Sequence, residues 1–91
     1  MDVDALASPS GTDGGDLRRV LASVRAGDWH AAHDGVQLNS TELGAWLHGL
    51  LHVMEGDLED AEYWYERAGR NFRARGTIDE ELEQLAQSLG D

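Results

Sequence analysis

The 91-residue chain contains no cysteine and no lysine, one proline and one phenylalanine. Without cysteine there is no disulfide framework and no thiolate metal site to support a small core, and a reducing, cytoplasmic setting is the expectation. All seven basic side chains are arginines, set against eighteen Asp and Glu for a formal charge of −11. That balance repels phosphate backbones and anionic bilayers, which argues against nucleic-acid and membrane partners. No apolar run approaches the roughly 20 residues that span a bilayer. The start, MDVDALASPSGTDGGD, lacks the basic and apolar regions of a signal peptide. A soluble protein is expected.

Residues 1–15 hold the single proline, three glycines and three aspartates and offer little to bury. They are read as a disordered tail, with residues 16–91 as one domain. SGTDGGDLRRV has the outline of a glycine-rich phosphate loop, but it carries Asp13 and Asp16 where a cradle needs a cation.

From Asp16 onward the apolar spacing is helical. Leu17, Val20, Leu21 and Val24 share one face, and the segment ends at Gly27. Asp28 is placed to cap a second helix bearing Trp29, Ala32, His33 and Val36. Asn39 to Glu42 reads as a capping pair opening a third, Thr41 to about Met54. Gly56 and Asp57 close it and open a fourth, Leu58 to about Arg70, with Leu58, Ala61, Tyr65, Ala68 and Phe72 as its stripe. Thr77-Ile-Asp-Glu80 is a capping box for a fifth, with Ile78, Leu82, Leu85 and Leu89 on one side and acids on the other. Nothing alternates with period two, so the predicted fold class is all-α. Gly27-Asp28 and Gly56-Asp57 lie 29 residues apart, each with Ala five positions after the glycine, at Ala32 and Ala61. The echo predicts two antiparallel helical hairpins followed by a C-terminal packing helix.

Gly49, Gly56, Ala61, Tyr65 and Ala68 fall at the small, turn and packing positions of a tetratricopeptide unit, and GDLEDAEYWYERA resembles its second helix. His52 stands where an aromatic is usual, and the first hairpin matches only at its turn. The strings AHDxxQ and HxxxHxxEGDxxxAxYWYxRAG also resemble those of small bacterial and fungal proteins, a resemblance that implies no activity. The tetratricopeptide resemblance implies a protein-interaction or scaffold module. It would place Leu43, Trp46, Leu50 and Val53 along a groove, covered by the Ile78–Leu89 stripe or by a partner helix, with a homodimer as one outcome. Tyr63 and Trp64 lie off the packing stripe; they are either buried by neighbouring helices or part of a recognition patch, and Trp64 would extend the groove.

On a helical wheel Leu43, Trp46, Leu47, Leu50, Leu51, Val53 and Met54 form a wide apolar arc. His48, His52 and Glu55 cluster within about 60° on the opposite side. Imidazoles at i and i+4 can bind one ion, with the carboxylate as ligand or orienting group. His33 could add a third nitrogen if the second and third helices pack together, and Zn²⁺ or Fe²⁺ would suit such a set. The bland alternative is a solvated polar face. The zincin pattern is absent, since Gly49 takes the place of its glutamate. No nucleophile motif supports a non-metal enzyme, although the same histidines could carry acid–base chemistry. Arg67, Arg70, Arg73 and Arg75 form the one basic cluster. It could bind phosphate or carboxylate, or simply pair with Asp79, Glu80, Glu81 and Glu83 and the dipole at a helix end.

Overall fold

The computed structural model describes residues 12–90, and the rest of the expected tail, residues 1–11, lies outside them. The elements are α1 (Thr12–Arg25), α2 (Trp29–Val36), α3 (Glu42–Glu55), α4 (Leu58–Arg67), a short 3₁₀ turn (Phe72–Ala74) and α5 (Ile78–Ser88). The described residues are all helical or connecting, with no strand. None of these helices is long and apolar enough to cross a membrane. α1 begins four residues ahead of Asp16, where the apolar pattern starts.

The boundaries follow local chemistry. Asp28 accepts from the Ala31 amide at 3.1 Å and starts α2. Thr41, not Asn39, caps α3: its hydroxyl accepts from Gly44 N at 3.0 Å. Asn39 stands behind it, its side-chain oxygen accepting from the Thr41 amide and hydroxyl. At α5 both halves of the Thr77–Glu80 capping box form, at 2.9 and 3.1 Å. α4 stops at Arg67, short of the expected Arg70, because Gly69 adopts φ +73 and turns the chain. Phe72, expected on the α4 stripe, therefore sits in the 3₁₀ turn, with its ring edge-on to Tyr65 at 5.3 Å.

α3 is the central element. It packs against α2, α4 and α5, while α1 lies on α2 and touches α5. Every residue from Gly44 to Leu51 is buried as a result. Leu17, Leu21, Val36, Leu47, Leu50, Leu51, Tyr65 and Leu85 are the largest fully enclosed side chains, each leucine contributing roughly 1.5–3 kcal/mol of apolar burial. α3 and α4 approach closely at Gly49, where an added Cβ would lie 2.6 Å from Tyr65 Cδ1 and 3.1 Å from the Ala61 carbonyl. Trp46 and Leu50, expected along a groove, are buried; Leu43 and Val53 pack half-buried on the same core. Of the two coverings considered for that stripe, the chain's own α5 supplies one, setting Leu85, Ala86 and Leu89 into the core cluster beside Trp46 and Leu50.

Candidate functional site

Because α3 is covered on several sides, its polar arc does not face water. His48 is only 5% exposed and His52 is half-buried. α2 presents Trp29 and His33, one helical turn apart, to this arc. The Trp29 indole N–H donates to the Leu51 carbonyl at 2.8 Å, which pins α2 onto α3.

Three imidazoles meet there. His33 Nε2 and His48 Nε2 are 3.2 Å apart. The His33 ring stands nearly perpendicular to those of His48 and His52, at centroid distances of 4.8 and 5.2 Å. His48 and His52, on successive turns of α3, stack at 5.1 Å and 19°. One nitrogen from each of the three lies within 4.8 Å of the others. Two indoles wall the group: Trp29 stacks on His33 at 4.7 Å, and Trp64 of α4 stacks on His48 at 4.0 Å. Stacking thus fixes the planes of His33 and His48. His52 is oriented differently, its Nδ1 lying 3.8 Å from Asp57.

Burial is also the main electrostatic influence. It lowers the His48 pKa from 6.5 to about 4, and the neighbouring His33 and His52 push in the same direction. His33 is lowered by burial and by His52, against the opposing pull of Asp34 and Glu55. Both rings are therefore held in the neutral form that can coordinate a metal.

The geometry suits a shared ion. Two nitrogens 3.2 Å apart, each about 2.05 Å from one centre, subtend about 100° there, close to tetrahedral. The 4.8 Å limit on the set means that His52 must close by no more than about 1.5 Å to join them.

Glu55 is exposed and lies outside the nitrogen cluster; it acts on His33 only through space. Sequence reasoning placed it beside His52 by helical spacing, but the carboxylates that approach His52 are Asp57 and Asp60. Asp57 was visible only as a helix cap. Trp64 is a wall of the histidine cluster, while Tyr63 stays 52% exposed.

Three of the four arginines from Arg67 to Arg75 are held over aromatic rings. Arg67 lies over Tyr63 and Trp64, Arg70 over Trp46 at 3.5 Å, and Arg75 over Phe72 at 4.0 Å; Arg73 is exposed. Among the described residues none pairs with the acids of α5 within ion-pair distance. Glu80 is used in the capping box. Glu81 is buried, its Oε1 accepting from Trp46 Nε1 at 2.8 Å and Tyr65 OH at 2.6 Å, and its Oε2 from Gly76 N at 3.1 Å. Burial alone would raise its pKa, but these donors together hold it below the usual carboxylate value. The sequence pattern sets this carboxylate among the acids that could pair with the arginines, not in the core. The signal that could have found it is its position four residues before Leu85, on the edge of the α5 apolar stripe, in a chain whose Trp46 and Tyr65 each need a polar partner when buried.

Comparison with family models, curated proteins and solved structures finds no match for this chain.

Proposed function

We propose that this is a small helical metal-binding protein, with His33, His48 and His52 as a three-nitrogen set for Zn²⁺, or Fe²⁺ as the alternative ion. The observation that carries the proposal is the convergence of three imidazoles from two helices, two of them through Nε2 atoms 3.2 Å apart. Three nitrogens leave a fourth position open, and His52 and Asp57 lie toward the exposed edge of the cluster. That arrangement belongs to catalytic more than to structural zinc. There a bound ion would act as a Lewis acid or activate a water.

The test uses untagged protein stripped with a chelator and reloaded with Zn²⁺. Expected are one ion per chain, a higher melting temperature, and d–d bands of tetrahedral type when Co²⁺ replaces zinc. At a free ion concentration of about 100 times Kd the gain is about 2.7 kcal/mol. His33→Ala and His48→Gln should each abolish the gain. Sub-stoichiometric metal together with an unchanged melting curve would reduce the cluster to a packed hydrogen-bonded group.

The scaffold supports a tetratricopeptide-type reading of two antiparallel hairpins: α1 packs with α2 and α3 with α4 across turns at Gly27 and Gly56, both at φ +80. An interaction or scaffold role, including a homodimer, draws on Leu38, 90% exposed, and Tyr63, not on the covered stripe of α3. Light scattering decides the dimer, and a monomer across the working concentration range removes it.

A further inference from the structure

Trp46 and His48 are two residues apart on α3, about 200° around the helix, so the side of α3 remote from the histidines carries Trp46. There, between the end of α4 and the start of α5, lies a cleft of about 260 Å³ lined by Tyr65, Gly69, Arg70, Asn71, Arg75 and Glu81, with Ala74. It is smaller than a drug-sized pocket. Its polar lining is unusual for so acidic a chain: two guanidiniums and one carboxylate, leaving one positive charge in excess.

Glu81 does not consume those cations. Its oxygens are already satisfied by Trp46, Tyr65 and the Gly76 amide, and Arg70 acts on it only through space. Each guanidinium is instead positioned by an aromatic ring. Arg70 sits 3.5 Å from the Trp46 centroid, with a marginal 3.5 Å contact to Gln84. Arg75 lies over Phe72 and donates to its carbonyl at 3.0 Å through one nitrogen. Neither has a carboxylate at ion-pair distance among the described residues. A guanidinium carries five N–H donors, so most of the donors of both remain for a ligand. Asn71 is also placed to contribute. Its Oδ1 accepts from Arg73 N at 3.1 Å, and its side-chain N–H groups are left over.

We propose that this cleft binds a small molecule through a phosphate or carboxylate group held between Arg70 and Arg75, with Asn71 as a further donor. Stacked guanidiniums lose little freedom on binding, and their planar forks match an oxyanion with two parallel hydrogen bonds. Buried Glu81 forms the back wall and keeps Tyr65 and the Gly76 amide in place. The site is independent of the histidine cluster.

The test is titration of the full chain with inorganic phosphate and, separately, acetate, at constant ionic strength set with chloride. The readout is the Trp46 indole N–H resonance, which reports both its bond to Glu81 and the guanidinium above it. A saturable shift is expected. Arg70→Gln and Arg75→Gln should each weaken it at least tenfold, the corresponding Lys variants several-fold, and Arg73→Gln not at all. Saturation by phosphate alone assigns a phosphate group, and saturation by both anions a general oxyanion site. Shifts that stay linear with both anions, or are equally weakened by Arg73→Gln, overturn the proposal. The resonance in ligand-free variants reports whether they fold, and the Lys variants decide the matter should a Gln variant not fold.

Discussion

Acidification from about pH 7 to about pH 5 should cost the protein stability through His48. In the unfolded chain this imidazole titrates near 6.5, whereas in the fold burial and the adjacent histidines hold it at about 4. Between those values the unfolded chain binds the extra proton and the folded chain does not. Stability is therefore fully present above about 6.5 and falls as the pH drops toward 4. Going from pH 7 to pH 5 shifts the folding equilibrium by a factor of about 20, or about 2 kcal/mol. His33, also lowered, adds in the same direction, while the nearby Asp34 and Glu55 charges moderate it. Glu81, whose folded pKa is lowered from 4.5, loses its own contribution mainly as the pH falls below that unfolded value, so most of that loss lies beneath this window. Urea unfolding of metal-free protein at the two pH values measures the drop. His48→Phe keeps a ring against Trp64 and removes the proton site, so it should recover most of the loss. A wild-type midpoint that does not move, or a His48→Phe midpoint that falls just as far, would show that burial does not control this imidazole.

Gly49→Ala should destabilise the fold by about 2 kcal/mol, as overpacking against the Tyr65 ring and the Ala61 carbonyl exceeds the helix-propensity gain of up to about 1 kcal/mol. An unchanged or higher urea midpoint would contradict the close α3–α4 approach. Tyr65→Phe removes the 2.6 Å bond to Glu81 and should cost about 1.5–3 kcal/mol, because a buried carboxylate loses a donor. It should also raise the Glu81 pKa, so part of the carboxylate's stabilisation is lost at a higher pH than in the wild type; carboxyl NMR titration of both proteins checks the direction.

The helices were legible because their ends are written in short-range chemistry. The Asp28 cap and the Thr77–Glu80 box start helices through side chains, and Gly27 and Gly56 end them through left-handed backbone angles, all acting within four residues; Asp57 stands at the start of α4 without a side-chain cap bond. The ends that needed more context were read less well. Thr41 took the cap from Asn39, and α4 stopped at Arg67, ahead of the turn at Gly69, and not at Arg70. The histidine pair on α3 was visible from its spacing, and His33 from its place beside Trp29. What a wheel cannot supply is how many neighbours a helix has. His48 was placed opposite the grease of α3, and that side is buried all the same, because α2 and α4 both close over it. Glu81 was missed for the same reason: its burial depends on donors from Trp46 and Tyr65, 35 and 16 residues away in sequence.

Burial of His48 gives one physical origin to two properties. The enclosure by Trp64, His33 and His52 that lowers its proton affinity also leaves its lone pair unprotonated at neutral pH, so a metal ion arriving there displaces no proton from this ring. What must change is the tautomer. A hydrogen bond across the 3.2 Å Nε2···Nε2 contact needs a proton on one of the two nitrogens, whereas a shared ion needs lone pairs on both and the protons on Nδ1. Stacking on Trp29 and Trp64 constrains each ring plane but is indifferent to which nitrogen carries hydrogen. The walls can therefore hold the same ring positions through either state, with His52 supplying the movement that brings in the third nitrogen. A cluster locked by hydrogen bonds at each Nδ1 would have its tautomer fixed in advance. One held by indole faces keeps the exchange between proton and metal open at little structural cost.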